Sequence, residues 1–259
     1  MGTVAKALSL LTHFNQTRLE MGLSDITRAS GMNKATVFRL MGELQACGFV
    51  EQVGNDRAYR LGPEVLRLAA LREKAVPILS VSRDVLKDLC DLTGETSHLS
   101  ILRGRELTSL IHEYSPRHAT RVMMEDAEVL SLHATASGLA VLAYSDAEFV
   151  DEFLATPLVG HTKRTETNPE KLRQVLSNAR ANGVAESANA FELDVHSLAA
   201  PIFDAEQNPA GAIAVAAPAS RMTPQKRDRI AEAVKEAALE LTQKIGGFCP
   251  ADYPQERAA

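Results

Sequence analysis

The side chains with the clearest chemistry lie in a short basic stretch, SGMNKATVFRLM, at residues 30–41. Lys34 and Arg39 can bind phosphates, and the forked guanidinium of Arg39 can donate two hydrogen bonds to a guanine edge. Ala35 and Thr36 are small, so a partner can approach the backbone closely. A helix that enters the major groove of DNA by its N-terminal end needs this combination of residues.

Two short helices are predicted to come before this stretch. The apolar spacing of residues 4–15 predicts the first helix. Residues 25–30 predict the second, with Ser24 as its N-cap and Gly31 as the residue that ends it. A short helix, a glycine-containing turn and a further helix form the helix-turn-helix arrangement.

A third helix is predicted from its N-cap Asn33 to about Ala46, followed by Gly48 as a left-handed cap residue. Its apolar residues recur at helical spacing and should be buried against the first two helices. These residues are Val37, Leu40, Met41 and Leu44. The opposite face, with Lys34 and Arg39, is then left for a partner.

A β-hairpin is predicted behind the third helix. The runs FVEQV and AYRLG are strand-like, and Gly54-Asn55-Asp56 supplies the turn. Arg57 and Arg60 on this wing could bind the DNA backbone or the minor groove. The candidate DNA interface therefore consists of Ser24, Asn33, Lys34, Ala35, Thr36, Arg39, Arg57 and Arg60. The alternative is a three-helix subdomain that packs on another part of the molecule.

Length and charge indicate two functions on one chain. The 259 residues, 45% of them hydrophobic, suffice for one large domain or two smaller ones. Residues 1–76 carry a net charge of +3 and residues 77–259 carry −8. Between Arg28 and Met41 three residues are basic and none is acidic. A basic first part beside an acidic remainder favours a DNA-binding part joined to another domain, although chance could produce this imbalance.

Other classes of protein find little support in the sequence. No apolar run approaches the roughly 18 residues that a membrane span requires, so no membrane partner is expected. The N-terminal segment is expected to be a helix of the fold, because no small-residue cleavage site follows it. Cys47, Cys90 and Cys249 have neither disulfide nor metal spacing, which favours a reduced, cytoplasmic location.

Neither a cofactor nor a catalytic function is expected. His112 and His118 are six positions apart, without the tight ligand spacing of a metal site, although an incidental ion remains possible. The sequence contains no G-x-S-x-G, P-loop or G-x-G-x-x-G motif. A set such as Ser97, His133 and Asp194 could be drawn from any chain of this size.

A linker helix is predicted from Pro63, which suits a first helical turn, to Pro77, which ends it. Its apolar stripe consists of Val65, Leu66, Leu68, Ala69 and Leu71. A short helix must bury such a stripe, and the expected partner is the same helix of a second subunit. Packing on its own domain is the alternative.

The remainder alternates between helix and strand patterns. Helices are predicted around residues 78–93, 137–145, 148–156, 168–183 and 223–245. Strand-like runs include SHLSIL, LTSLIHEY, LAAPIFD and AGAIAVAAP. This order predicts an α+β domain with an antiparallel sheet and helices packed over it. Residues after Gly246 are rich in turn formers and are expected to be loose.

Several segments together resemble the IclR family of bacterial transcription regulators. DITRASGMNKATVFRLMGELQACGFVEQ and YRLGPEVLRLA are similar to its winged helix-turn-helix and following helix. TGETSHLSIL, LSLHATASGLAVLA, HSLAAPIFD and PASRMTPQ are similar to parts of its C-terminal domain. The resemblance extends from about residue 4 to 245 and implies a homodimer or dimer of dimers bound to palindromic double-stranded operator DNA. It also implies a GAF-like domain that binds a small metabolite.

The expected architecture is α+β with two domains. Residues 1–62 form the winged helix-turn-helix domain and residues 63–76 the linker and dimerisation helix. Residues 77–246 form the GAF-like effector domain with an antiparallel sheet and flanking helices, and residues 247–259 a loose tail.

The segment LHATASG supplies a candidate ligand site. Thr135 and Ser137 can cap a helix that starts near Gly138, and a helix N-terminus favours an anion such as a carboxylate. Leu132, His133 and Ala134 would form the entrance. From the residues alone, plain helix capping with a structural histidine is favoured. The resemblance reverses this preference, because the matching loop lines the effector pocket in the family.

The resemblance also places inner-strand residues at the pocket. These are Ser187, Asn189, Ser197, Ala214 and Ala216. Alanines stand where the family usually has serines, and Ser187–Ala190 replaces a segment that is usually acidic. We therefore expect a pocket poorer in hydroxyl and acidic groups, suited to a larger, more apolar or aromatic acid, because unpaired polar groups are costly. A shrunken or unused pocket is the alternative.

The predicted function is a ligand-responsive, DNA-binding transcription regulator that controls a catabolic operon in response to a small organic acid. The alternative is a small-molecule-binding protein whose helical adaptor does not bind DNA. Only the regulator should show salt-dependent binding to DNA.

Overall fold

The computed structural model describes residues 2–14, 18–54, 57–75, 78–125 and 127–254, with the backbone alone for residues 72–75. The chain divides into two compact units, Met1–Pro77 and Ile78–Ala259. Two features predicted from the sequence, the turn residues Asn55-Asp56 and the helix end at Pro77, lie outside the described residues.

The first unit is a winged helix-turn-helix. Its elements are α1 (Thr3–Leu11), α2 (Leu23–Ser30), α3 (Lys34–Ala46), β1 (Val50–Val53), β2 (Ala58–Leu61) and α4 (Pro63–Ala75). Strands β1 and β2 pair antiparallel, with Val50 opposite Leu61. Met21 exchanges two backbone hydrogen bonds of 2.9 Å with Tyr59, which fixes the wing to the segment before α2.

The predicted apolar stripe of α3 is buried. Val37 and Met41 are fully inaccessible, and Leu40 and Leu44 nearly so. They pack with Leu10 of α1 and with residues of α2 in one core. The helices are positioned by this burial, since helices of 8 to 13 residues are marginal alone.

The predicted caps of α2 and α3 differ in outcome. Asn33 caps α3 as expected, with its side-chain oxygen 2.8 Å from the Thr36 backbone nitrogen. Gly31 ends α2 with a φ of 66°, a conformation that favours glycine. The prediction of Ser24 as the N-cap of α2 was wrong. The N-cap is Gly22, whose carbonyl oxygen already accepts hydrogen bonds from the nitrogens of Asp25 and Ile26.

The leucines of the apolar stripe of α4 lie in solvent, whereas Val65 is half-buried. Leu66 is 74% exposed, and Leu68 and Leu71 are also exposed. Packing of the stripe on its own domain, the alternative raised by the sequence, is therefore not observed for these side chains.

The second unit contains a six-stranded antiparallel sheet with the order β5-β4-β3-β8-β7-β6. Its strands are β3 (Thr96–Arg103), β4 (Glu106–Glu113), β5 (Val129–Leu130), β6 (Ala185–Ala188), β7 (Val195–Phe203) and β8 (Pro209–Pro218). Its helices are α5 (Ile78–Thr93), α6 (Ala136–Tyr144), α7 (Ala147–Leu154), α8 (Pro169–Asn182) and α9 (Pro224–Lys244). A short 3-10 helix, Ala219–Arg221, comes before α9. Strands β5 and β6 were not among the predicted strands.

Each face of the sheet has its own core. Leu99, Leu198 and Val215 pack with α5 and α9. Ala199 and Ala214, which lie opposite each other on β7 and β8, pack with α6 and α8. Because side chains alternate along a strand, two neighbouring residues of one strand pack in the cores on opposite faces of the sheet.

Helix α6 lies directly against the sheet, and all nine of its residues are buried. The facing residues Ala199, Ala212 and Ala214 are small, which permits this close approach. Gly138 is required at its position, because an added Cβ would lie 2.4 Å from the Cα of Leu132. The first turn of α6 is therefore fixed in place.

A buried carboxylate ties β3 to the start of α9. The side chain of Glu95 is fully buried and accepts hydrogen bonds from Arg221, at 2.8 and 2.5 Å, and from Lys226. Burial favours the neutral acid, but the hydrogen bonds from the two cations outweigh it and lower the pKa of Glu95. Arg221 also donates to the carbonyl of Thr120 at 3.0 Å.

The prediction of a loose tail after Gly246 was wrong for residues 247–254. Tyr253 is buried, and its ring lies 5.5 Å from the rings of both Tyr144 and Phe203. Arg180 forms an ion pair of 2.7 Å with Asp252. The aromatic ring fills space in the core beside α6, which a composition rich in turn formers did not reveal. Residues 255–259 lie outside the described part.

Candidate functional site

The exposed face of α3 carries the residues predicted to contact DNA. Lys34, Ala35 and Arg39 are exposed, and Thr36 is half-buried. Phe38 lies between them and is 61% exposed, although it is aromatic. It was not among the residues predicted to bind DNA, although its place one turn after Lys34, beside Arg39 and off the buried stripe, was a usable signal. Together these side chains form a surface that is both basic and apolar.

The two arginines of the wing differ in their surroundings. Arg60 is held by Glu51 at 2.7 Å across the hairpin and lies 4.0 Å from Glu20. Arg57 is exposed and lies one residue before β2, with a positive φ of 54°. Arg60 is thus fixed in direction by carboxylates, whereas Arg57 stands at the tip of the wing.

The second unit contains a cavity of about 280 Å³ beside the first turn of α6. Its apolar lining comes from Val122, Met123, Met124, Leu130, Ala136, Phe191, Val195 and Ala216. Its polar lining comes from His98, Thr135, Ser137, Ser187 and Ser197, and its acidic lining from Glu125, Glu128 and Glu192. A concave space with apolar walls and a few polar groups is typical of a small-molecule site.

Five of the residues predicted for effector binding line this cavity, namely Thr135, Ser137, Ser187, Ser197 and Ala216. Thr135 is the N-cap of α6 and accepts a hydrogen bond from the Gly138 nitrogen at 3.0 Å. The helix begins at Ala136, two residues before the predicted start. Ser137 therefore lies inside the first turn and does not cap it.

The other six predicted residues are not in the lining of the cavity: Leu132, His133, Ala134, Gly138, Asn189 and Ala214. His133 lies 3.1 Å from the Ser131 hydroxyl and 2.9 Å from the Val159 carbonyl, so it holds the segment after α7. Ala134 accepts a hydrogen bond of 2.6 Å from Ser187. Asn189 stabilises a turn by accepting from the Asp194 nitrogen at 2.8 Å.

His98, on the central strand β3, lines the cavity and was missed by the sequence analysis. Its Nε2 atom lies 3.3 Å from the Ser137 hydroxyl, and Nδ1 has no hydrogen-bond partner among the described residues. Burial, aided by the neighbouring His112, lowers the pKa of His98 to about 4. The imidazole is therefore neutral at pH 7. Strand alternation, with Thr96 and His98 on one face, could have indicated its place.

Three glutamates give the cavity an acidic lining. Burial, followed by repulsion from Glu125 and Glu192, raises the pKa of Glu128. None of the three forms an ion pair with another residue that the structure describes. The expectation of a lining poor in acidic groups was therefore wrong. The acids come from loops that no strand or helix pattern connects with the cavity.

The loop that carries Glu125 is anchored to the sheet. The Thr96 hydroxyl donates to the Val122 carbonyl at 2.8 Å. The Tyr114 hydroxyl accepts from the Met124 nitrogen at 2.9 Å and donates to its carbonyl at 3.2 Å. Arg121 stacks over the Tyr114 ring at 4.6 Å. This side of the cavity is therefore preformed.

The loop that carries Phe191 and Glu192 is also anchored. Thr162 and Thr165 donate from their hydroxyls to the carbonyls of Asn189 and Ala190, at 2.6 and 2.5 Å. The ring of His161 lies 4.8 Å from that of Phe191. Residues distant in sequence thus complete the lining.

Two segments of the chain match known protein families. The family model described as the bacterial transcriptional regulator IclR C-terminal domain matches residues 72–243, and the IclR helix-turn-helix model matches residues 3–54. The chain belongs to the IclR family. As an IclR-type transcriptional regulator it joins a helix-turn-helix domain to an effector-binding domain. Proteins of this family are regulators and not enzymes.

Several relatives of known structure or function cover nearly the whole IclR-type chain. A crystal structure assigned to the IclR transcriptional regulators, from Silicibacter sp. TM1040, is 60% identical, with 98% of this chain and 100% of that one covered and a TM-score of 0.96. An IclR homologue from Microbacterium hydrocarbonoxydans, complexed with 4-hydroxybenzoate, is 26% identical, covers 94% and 99%, and has a TM-score of 0.77. The transcriptional repressor IclR of Escherichia coli is 26% identical over 95% of this chain and 90% of its own.

The described part of this IclR-type chain lacks the features of two other classes of protein. Among the described residues, no helix is both long and apolar enough to cross a membrane. The same part of the chain holds no group of three or more histidine, cysteine or acidic side chains arranged to bind a metal.

Proposed function

We propose that this cytoplasmic regulator controls a catabolic operon and releases or binds its operator in response to a small organic acid. The effector would be more apolar or aromatic than a simple keto acid. The observation that carries the proposal is the preformed cavity beside the buried N-terminus of α6. The exposed basic face of α3 supplies the DNA-binding end.

For DNA, Lys34 and Arg39 would bind phosphates or guanine edges as α3 enters the major groove. The small side chains of Ala35 and Thr36 would allow this close approach. Arg57 and Arg60 would contact the backbone from the wing, while Asn33 stabilises the first turn and Ser24 lies near the start of α2. Each contact to a phosphate would make binding weaker as salt concentration rises.

For the effector, a carboxylate would lie at the first turn of α6. The backbone N–H groups of Ala136 and Ser137 have no intrahelical acceptor, since they belong to the first turn. Such groups, together with the helix dipole, favour an anion. Ser197 and Ser187 would donate or accept further hydrogen bonds, and Ala216 would contact the apolar body of the ligand.

An aromatic acid is favoured by the lining and by one relative. Phe191, Met124, Val195 and Leu130 offer apolar contacts to a ring. The homologue from Microbacterium hydrocarbonoxydans was crystallised in complex with 4-hydroxybenzoate, which is an acid of this class.

We further propose a homodimer, or a dimer of dimers, formed through α4. The stripe with Leu66 and Leu71 is exposed in the single chain, and an exposed apolar patch of this kind marks an interaction surface. A two-fold dimer would present two copies of α3 to half-sites about one helical turn apart, roughly 34–36 Å.

The test is a selection of double-stranded DNA from a random pool by the purified full-length chain. Enrichment of a palindrome whose half-sites are about 10 base pairs apart is expected. Its affinity should fall linearly on a log–log plot against salt concentration. No enrichment, or affinity independent of salt, would instead favour a small-molecule-binding protein with a helical adaptor that does not bind DNA.

A further inference from the structure

The cavity of the second unit is lined by negative charges that a simple carboxylic acid could not pair with. Among the residues that the structure describes, its lining contains three glutamates and no lysine or arginine. We propose that the effector is dipolar, with a carboxylate at one end and a protonated amine at the other. This inference rests on the proposed function, because it assigns a second charged group to the effector of the same cavity.

The glutamates form the rim of the cavity. Glu125 and Glu192 are exposed, and Glu128 is half-buried between loop residues. Burial, and then repulsion from Glu125 and Glu192, raises the pKa of Glu128. Among the described residues, no lysine or arginine forms an ion pair with any of the three glutamates. A ligand ammonium near these carboxylates would supply the missing charge, and partial burial would make that attraction stronger than in bulk water.

The floor of the cavity favours an anion, whereas the glutamates of the rim favour a cation. Ala136, Ser137 and His98 are all buried there. His98 is neutral at pH 7, so the partial positive charge of the α6 N-terminus is the main attraction for an anion. The carboxylate would therefore bind at the floor and the amine at the rim.

The walls between floor and rim indicate what joins the two charged groups. Val195 and Met124 are apolar, and Phe191 precedes Glu192 in the same loop. An aromatic ring or a chain of methylene groups would fill this space, and the Phe191 ring could also attract an ammonium. An amine at the far end of the acid fits this order better than an α-amine, which lies beside the carboxylate.

Two other occupants of the rim are less well supported. A divalent cation would need several ligands converging on one point, and the described residues contain no such group of three acidic, histidine or cysteine side chains. An acid without an amine would bring a fourth negative charge to three uncompensated carboxylates. The amine resolves both difficulties because a single positive charge needs no fixed coordination geometry.

The test uses pairs of probes that differ in the amine alone. The purified full-length chain would be titrated calorimetrically with 4-(aminomethyl)benzoate against 4-methylbenzoate, and with 5-aminopentanoate against pentanoate. At least one aminated probe should bind 10-fold or more tightly than its partner. In the triple variant Glu125→Gln, Glu128→Gln, Glu192→Gln this preference should disappear, because glutamine keeps the shape and removes the charge.

Controls separate this inference from the proposed function. Glu206→Gln, in the exposed turn between β7 and β8, should leave the preference unchanged. Tighter or equal binding of the acids without an amine would overturn the dipolar effector and leave the organic-acid effector standing. Absence of binding by all four probes would overturn both, while the DNA selection would still report on the DNA-binding end. A preference that survives in the triple variant would show that the glutamates do not select the amine.

Discussion

The Nε2 atom of His98 lies 3.3 Å from the hydroxyl oxygen of Ser137, and this contact joins the centre of the sheet to the first turn of α6. Both residues line the cavity, and both side chains are almost fully buried. Protonation of His98 would therefore change the charge at the proposed binding site for the carboxylate.

The stability of the second unit is expected to fall in mild acid because of His98. The unfolded side chain takes up a proton near its ordinary pKa of 6.5, whereas the folded one does so near 4. Stability is then complete above about pH 6.5 and is lost progressively as the pH falls towards 4, since the unfolded state binds more protons. Between pH 7 and pH 5 the loss should be about 2 kcal/mol.

Urea unfolding of the wild type and of His98→Gln at these two pH values measures the effect. The variant should lose less stability on acidification than the wild type does, whatever its stability at pH 7. His118→Gln, a change at an exposed histidine, serves as the control and should keep the wild-type pH dependence. An unchanged pH dependence in His98→Gln would argue against a neutral, buried imidazole.

His98 also shows what a sequence can and cannot predict. Local periodicity was enough to predict α3 and the burial of Val37 and Met41, because helix spacing is a property of neighbouring residues. The place of His98 could have been obtained from strand alternation. The glutamate rim could not, since hydrogen bonds such as that from Thr96 to Val122 join residues 26 positions apart.

The charged group of Arg39 should decide operator binding. Arg39→Ala removes an exposed side chain, so the free energy of unfolding should change by no more than about 0.5 kcal/mol. Specific binding in a gel-shift titration should be abolished, because donors to bases or phosphates are lost. Arg173→Ala, which removes an exposed arginine from α8 in the second unit, should bind the operator normally. Unchanged affinity in Arg39→Ala would contradict the assignment of α3 as the DNA-reading helix.

Phe38 is expected to contact DNA through its ring. Its 61% exposure means that Phe38→Ala should cost little stability, whereas a lost apolar contact with a thymine methyl should weaken operator binding roughly 10-fold. Competition with operators altered at single positions should show relaxed preference at one A·T pair. Gln45→Ala, at the far end of the same helix, is the comparison. Equal affinity for both variants would leave Phe38 without a role in recognition.

A bulky side chain at Ala216 should close the cavity. Ala216 lines it and is 3% exposed, so the ring of Ala216→Phe must occupy the ligand space or force the neighbouring strands apart. Calorimetry should then detect no binding of an acid that the wild type binds, while DNA binding persists. Ala205→Phe, in an exposed turn, should bind the acid normally. Normal affinity in Ala216→Phe would move the effector site elsewhere.

The Glu95 carboxylate should raise the free energy of unfolding of the second unit. Glu95→Gln leaves Arg221 and Lys226 without their negative partner, and a loss of roughly 2 kcal/mol is expected, since both cations remain partly exposed. The pKa of Glu95 is lowered in the folded state, so its contribution is present above the unfolded value of 4.5 and is lost as the pH falls through the folded value. Urea unfolding at pH 7 should therefore separate the two proteins, and the difference should shrink in acid. A constant difference would contradict the ion-pair explanation.

The burial of Tyr253 has a consequence for the order in which the chain can fold during synthesis. The core of the first unit is made of residues from that unit alone, so it can form while later residues are still being added. The central pair of the second unit joins Thr96 to Ala216, and the core beside α6 also needs the ring of Tyr253. Long separations of this kind slow folding. Helix α3 is thus available before the effector-binding domain, which becomes complete only when synthesis has passed residue 253.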